Sequence, residues 1–194
     1  MHRLASAGAL VAAALTLISC ESAGGKVSVL QSPSYAIQAG ETYAWMPPSR
    51  ATTGDARIDN DIIRERIRTA IDISLAQHGL HRVEDASSAQ ILVSYHVGLQ
   101  TRTDYRVDAP PGGVACGWRG CINYSWGMYG APTDVRAVNY SEGTLMLDLT
   151  DRASGQLAWR ATSQKRVDEQ DATQDRINAI LADMTKSLAA PAAR

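Results

Sequence analysis

"EGTLMLDLTDRASGQLAWRA", residues 142–161, carries the clearest pattern in the chain. Leu145, Leu147 and Leu149 alternate with Thr144, Met146, Asp148 and Thr150. Successive side chains in a strand point to opposite faces, so the leucines share one face and the more polar set the other. "DRASGQ" turns the chain, with Asp151 placed to cap the turn through its carboxylate. "QLAWRATSQKRV", residues 156–167, returns as the partner strand. The stretch predicts a β-hairpin with one buried face.

A one-sided hairpin needs a layer over its apolar face. Two stretches can supply it. Residues 59–78 place Ile62, Ile63, Ile67, Ala70, Ile71 and Leu75 on one helical stripe. Asp59 or Asn60 can cap the start, and Gly79 with Leu80 fits a left-handed C-terminal cap. Arg68 and Asp72 stand four apart as an ion pair on the exposed side. Asp171 to Leu188 repeats the pattern with Ile177, Ile180, Leu181, Met184 and Leu188, and Asp171 with Gln174 resembles a capping box.

Two more strands follow from composition. "AQILVSYHV", residues 89–97, is continuous enough to be central in a sheet. "ETYAWMPPS", residues 41–49, is β-prone until Pro47 and Pro48 stop ladder bonding, and Tyr35–Ile37 can approach it. Trp45 and Trp159 read as sheet-face aromatics that take the place of the absent Phe. The order predicts an α+β fold: a small, mostly antiparallel sheet with two amphipathic helices packed on one face. It spans residues 33–189 as one domain, with 190–194 as a solvent tail.

The N-terminus speaks about location. "MHRLASAGALVAAALTLISC" has a basic start and an uncharged apolar run from Leu4 to Ile18. That run is shorter than the roughly twenty residues of a membrane span and suits a secretory signal over residues 1–19. "LISC", Leu17 to Cys20, resembles a bacterial lipobox. The resemblance implies a diacylglyceryl thioether on Cys20, cleavage before it, and acylation of the new amine, as with palmitate. Two or three chains anchor firmly, at about 0.8 kcal/mol per buried methylene. Glu21 is not the Asp that favours inner-membrane retention, so the expected site is the periplasmic face of the outer membrane. Residues 20–32 read as the lipidated N-terminus and a tether. Loss of residues 1–19 removes Arg3 from the 19 basic residues, leaving 18 against 20 acidic ones. That balance excludes a nucleic-acid partner.

An oxidising compartment bears on the cysteines. Cys116 and Cys121 are the pair left once Cys20 is lipidated, and "GWRG" between them eases a tight reversal. A disulfide is expected. A zinc site would need more ligands than the distant His96 offers, and a thioredoxin-like pair would be two apart rather than four. Around the cysteines the stretch 101–133 is too long for a mere connector, and long loops of this kind are usually functional. It holds Trp118, Arg119, Tyr124, Trp126 and Tyr129, residue types enriched at binding hot spots. They form the candidate binding face, for an envelope protein or a saccharide. The alternative is that these aromatics fold down onto the sheet.

Catalytic signals are sparse. There is no Gly-x-Ser-x-Gly, no phosphate-binding loop and no clustered metal ligands. His96 sits among apolar strand neighbours and reads first as a buried, hydrogen-bonded histidine. His78 and His81 flank a helix end, where His78 suits the dipole. Asp148 and Asp151, three apart in a strand, point to opposite faces. No catalytic residue, metal or cofactor is expected, and the chain reads as a non-enzymatic envelope module. The alternative is an envelope hydrolase using His96 and a carboxylate.

"TYAWMPP", "IRTAI" (Ile67–Ile71), "ILVSYHV" and the hairpin of residues 142–161 occur in the order typical of one family. Over residues 33–189 the chain resembles the domain of unknown function 4136 found in bacterial lipoproteins. The resemblance implies the α+β fold and the envelope location, and implies no activity. Members often carry a Gly- and aromatic-rich stretch where 105–131 lies here, but the cysteine pair is not a general family feature.

Overall fold

The computed structural model describes residues 25–47, 55–108, 113–124 and 134–188. In chain order the elements are β1 (Lys26–Gln31), β2 (Thr42–Trp45), α1 (Asp61–Gln77), β3 (His81–Arg82), β4 (Ile91–Asp108), β5 (Gly113–Gly117), β6 (Gly120–Tyr124), β7 (Asp134–Asp151) and β8 (Leu157–Val167). A short 3-10 helix (Glu169–Ala172) then leads into α2 (Gln174–Thr185). Six strands form one sheet in the order β1-β8-β7-β4-β2-β3, and β5 with β6 forms a separate two-stranded sheet.

The fold is α+β, but its main sheet is mixed rather than mostly antiparallel. β1, β8, β7 and β4 pair antiparallel in turn. β2 lies parallel to both β4 and β3. The reason is the connection. Parallel neighbours need a crossover of a dozen or more residues, and α1 lies between β2 and β4 in the chain.

The hairpin of residues 142–161 folds as its alternation requires. Leu147 and Leu149 are fully buried, opposite Ala161 and Trp159 in register. In register with them across β4 lie Tyr95 and Val93. These residues, with Tyr43 and Ile91, share one core cluster with Ile67, Ala70, Ile71 and Leu75 of α1 and Ile177, Ile180, Leu181 and Met184 of α2. Where the helices meet, Ser74 and Thr185 exchange a buried hydroxyl hydrogen bond of 2.7 Å. Asp151 accepts from the backbone N–H groups of Ala153 and Ser154 at 3.1 and 3.0 Å, which closes the turn.

Helix α1 starts where Asn60 Oδ1 accepts from Ile63 N–H at 2.9 Å. It ends in a Schellman motif: Leu80 N–H donates to Leu75 C=O and Gly79 N–H to Ala76 C=O, with Gly79 at φ 81°. Leu80 is buried, as that motif's apolar contact requires. Three local expectations change. Ile62 is 64% exposed and off the buried stripe. Asp72 accepts from Tyr43 Oη and Arg82 instead of Arg68, whose guanidinium lies 4.5 Å over the Trp45 ring. The capping box belongs to Asp168 and Asp171 on the 3-10 helix, so α2 begins later, at Gln174.

Two boundaries also move. The expected tether contains β1, which pairs with β8 from Lys26↔Gln164 to Gln31↔Trp159. Gly25 makes the entry possible: its φ is 64° and a Cβ would stand 2.6 Å from Lys165 Cβ. The expected loop 101–133 is in part strand. β4 runs on to Asp108 and β7 begins at Asp134, and the two pair without a break over their whole length.

Candidate functional site

β8 reaches β7 only as far as the Ser141↔Val167 pair, and β2 reaches β4 only as far as Trp45↔Val93. Past those points β4 and β7 continue as a two-stranded ribbon. Thr101 to Arg106 are all exposed. Tyr105 is 72% exposed and Val135 54%. The ribbon is held by polar ties: Arg102 to Glu142 at 3.0 Å, Arg166 to Asp104 at 2.8 Å, and Thr103 Oγ1 to Asn139 Oδ1 at 2.8 Å. Arg166 also lies 3.8 Å over the Tyr140 ring.

The connection between β4 and β7 carries the β5–β6 hairpin. Gly117 pairs with Gly120, so Trp118 and Arg119 are the two turn residues, and Gly120 adopts φ 113°. That backbone conformation is disfavoured for residues with a Cβ, which explains the glycine that follows the turn. Trp118 is 92% exposed, with the Arg119 guanidinium 5.0 Å from its ring centroid. The pair is presented to solvent rather than folded onto the sheet. Cys116 and Cys121 are direct register partners. Tyr124 ends β6. Trp126 and Tyr129 lie outside the described residues, as do Cys20, the expected signal over residues 1–19 and the expected tail 190–194.

A second feature was not legible in the sequence. A cavity of about 550 Å³ opens between the N-terminal ends of both helices and the sheet. Ile63 and Ile67 of α1, Ile177 and Ile180 of α2, and Val97, Leu99 and Leu145 of the sheet line it. Its rim holds the Lys165–Asp171 ion pair of 2.7 Å. Each lining residue reads as ordinary core from its own segment, so only the tertiary arrangement exposes the gap. Gly143 is on the wall, where a Cβ would stand 2.7 Å from Val167 Cγ1.

Sequence matching decides the family. The domain of unknown function DUF4136 matches the chain over residues 27–188. The chain belongs to this family. No curated protein matches it. Among solved structures, this DUF4136 domain is similar to the PelC dodecamer from Paraburkholderia phytofirmans at TM-score 0.46 and 15% identity, covering 86% of this chain and 100% of that one. A variant of that dodecamer from the same organism gives 0.42 and 13%, covering 86% and 98%. A PDZ domain protein from Parabacteroides distasonis gives 0.43 and 10%, covering 82% of this chain and 34% of the other.

The histidines of the DUF4136 domain do not assemble into a centre. His96 is exposed rather than buried, and it has no hydrogen-bond partner among the described residues. It faces Met146 across the ladder on the side away from the core leucines. The carboxylate closest to it in register on that face is Asp148, and Arg160 holds both its oxygens at 2.6 and 2.5 Å. A base needs an orienting partner within hydrogen-bond reach, and this carboxylate is committed elsewhere. His78 is the C-cap of α1 and is half-buried, while His81 is exposed on β3. No group of three or more metal-binding side chains occurs among the described residues. Among the same residues, no helix is long and apolar enough to cross a membrane.

Proposed function

We propose that the chain is a lipid-anchored, non-enzymatic module of the bacterial envelope, held through Cys20 on the periplasmic face of the outer membrane. It contacts an envelope protein or a saccharide through the hairpin between β4 and β7. The observation that carries this reading is the solvent-facing turn of Trp118 and Arg119. A large aromatic with a stacked cation on a two-residue turn is the chemistry of a binding anchor. Burying it in a partner removes apolar area from water, and leaving it bare in a monomer has no folding benefit.

A Cys116–Cys121 disulfide belongs to this proposal. Directly opposed antiparallel residues have Cα atoms about 4.5–5.5 Å apart, inside the window of about 4.4–6.8 Å that a disulfide accepts. The bridge would hold the turn in one shape and lower the entropy lost on binding. The test is capture from native membranes with the wild-type chain and with Trp118→Ala. The proposal expects the wild-type partner to be lost from the variant. Identical captured sets remove the contact face. Mass spectrometry of the mature N-terminus checks the anchor: an acylated Cys20 supports it and an unmodified one removes it.

The cavity favours a second reading, in which the domain holds a small apolar ligand such as an acyl chain. Its volume and apolar wall fit the usual character of small-molecule sites. Narrowing it with Leu145→Trp distinguishes the two: ligand uptake would fall while Trp118-dependent capture stayed.

A further inference from the structure

Strand β4 has an open edge. β2 covers it only through Val93, whose carbonyl accepts from Met46 N–H at 2.8 Å. Along a regular strand, alternate residues direct their backbone groups to the same side. The β4–β7 ladder has no register break, so Tyr95 and every second residue up to Val107 aim N–H and C=O away from β7. Among the described residues no strand meets them. A long uncovered edge is a template for another strand, and two strands alone are marginal in water.

The charges on this edge decide what covers it. Arg102, Asp104 and Arg106 alternate in sign on one face of β4. An edge protected by repulsion would carry one sign. Here a second copy laid antiparallel, with Tyr105 against Tyr105, sets Asp104 against Arg106, twice over by symmetry. A slip of two residues either way destroys this. One slip sets Arg102 against Arg106 and Asp104 against itself; the other sets Arg106 against itself.

Arg106 gives the independent sign. Its register partner within the chain is Arg136, a like charge, and Arg106 itself is in no ion pair among the described residues. Like charges directly opposite are unfavourable and opposite charges favourable. The proposed neighbour brings Asp104 of the other copy beside Arg106. Tyr105, 72% exposed on the opposite face of the strand, gains a ring against its own twin. We infer that two copies of this chain pair through the β4 edge about a two-fold axis at Tyr105, extending the sheet across both molecules.

The test uses the full chain, from whichever cell fraction holds it, on non-reducing gels after mild oxidation. Tyr105→Cys should form a symmetric cross-linked dimer, because residue 105 faces itself at disulfide distance. Thr103→Cys faces position 107 instead and should give at least about tenfold less dimer. In the Tyr105→Cys background, Arg106→Asp should lower the dimer yield by about tenfold or more, because it places like charges at two symmetric positions. Adding Asp104→Arg together with Arg166→Asp reverses the charges across the seam, keeps the tie within the chain and should restore the yield. Cross-linking at 103 equal to that at 105 overturns the register. Failure of the full reversal to restore the yield, or no dimer from Tyr105→Cys, overturns the pairing.

Discussion

Strands β4 and β7 are each one continuous element, yet their two halves live in different solvents. Between Ile91 and Val97, and between Leu145 and Asp151, the residues of one face lie against the helices, and Val93, Leu147 and Leu149 have no exposure. Between Thr101 and Arg106, and from Val135 to Ala137, they stand in water on both faces. The same ladder of hydrogen bonds runs through both. What changes is the layer above it. Strand geometry therefore does not require a core, but stability does: the inner half anchors the fold, and the outer half is free to serve as a surface.

Substitutions sharpen this contrast. Trp159→Ala, in the inner half, removes a fully buried ring and should lower stability by about 3–5 kcal/mol in denaturant unfolding. A smaller but clear loss is expected for Asp148→Ala. It leaves Arg160 without the carboxylate that holds it at 2.5 Å, and because that arginine is one-third exposed, about 1–3 kcal/mol is appropriate. Tyr43 tests the same half through pH. Burial, followed by its hydrogen bond to Asp72, raises its pKa above the ordinary phenol value. A raised pKa contributes stability that is present below the unfolded value of about 10 and is lost as pH rises beyond it. Alkaline unfolding curves should show a larger loss for the wild type than for Tyr43→Phe, which keeps the contributions of Tyr35 and Tyr95. The smallest effect belongs to the outer half. Tyr105→Ala should leave monomer stability within about 0.5 kcal/mol, and a loss like that of Trp159→Ala would break the comparison.

The division also explains what the sequence showed. Leu145, Leu147 and Leu149 announced their strand because one face is buried and the other is not. Residues 100–106, "QTRTDYR", are strand without any apolar alternation, because neither face meets a core. Periodicity reports burial, so it fell silent there and the ribbon read as loop. β1 was hidden for a related reason: Val27 and Val29 alternate, but the run is brief and follows glycines that suggest a tether. The parallel placement of β2 beside β4 depends on where α1 returns the chain, which no local pattern records. Ile62 shows the limit of stripe counting, since Ile63 lies on the buried side and its neighbour does not. Of the candidate site, Trp118 and Arg119 were legible from residue type, but their exposure was not, because aromatics in such a stretch can equally fold onto the sheet. The cavity was not, because seven core-like side chains reveal a gap only once assembled. His96 misled for a simple reason: its apolar neighbours line the other face of the strand.

Amide hydrogen exchange of the full chain tests the central claim most directly. Two classes of amide are expected within one strand. Amides of Leu92, Ser94 and His96, which point to β7, exchange slowly in both the wild type and Arg106→Asp, whereas Thr103 and Tyr105 are protected in the wild type at high protein concentration and lose that protection in the variant. Uniform protection along β4 in both proteins, indifferent to concentration and to Arg106, would contradict it.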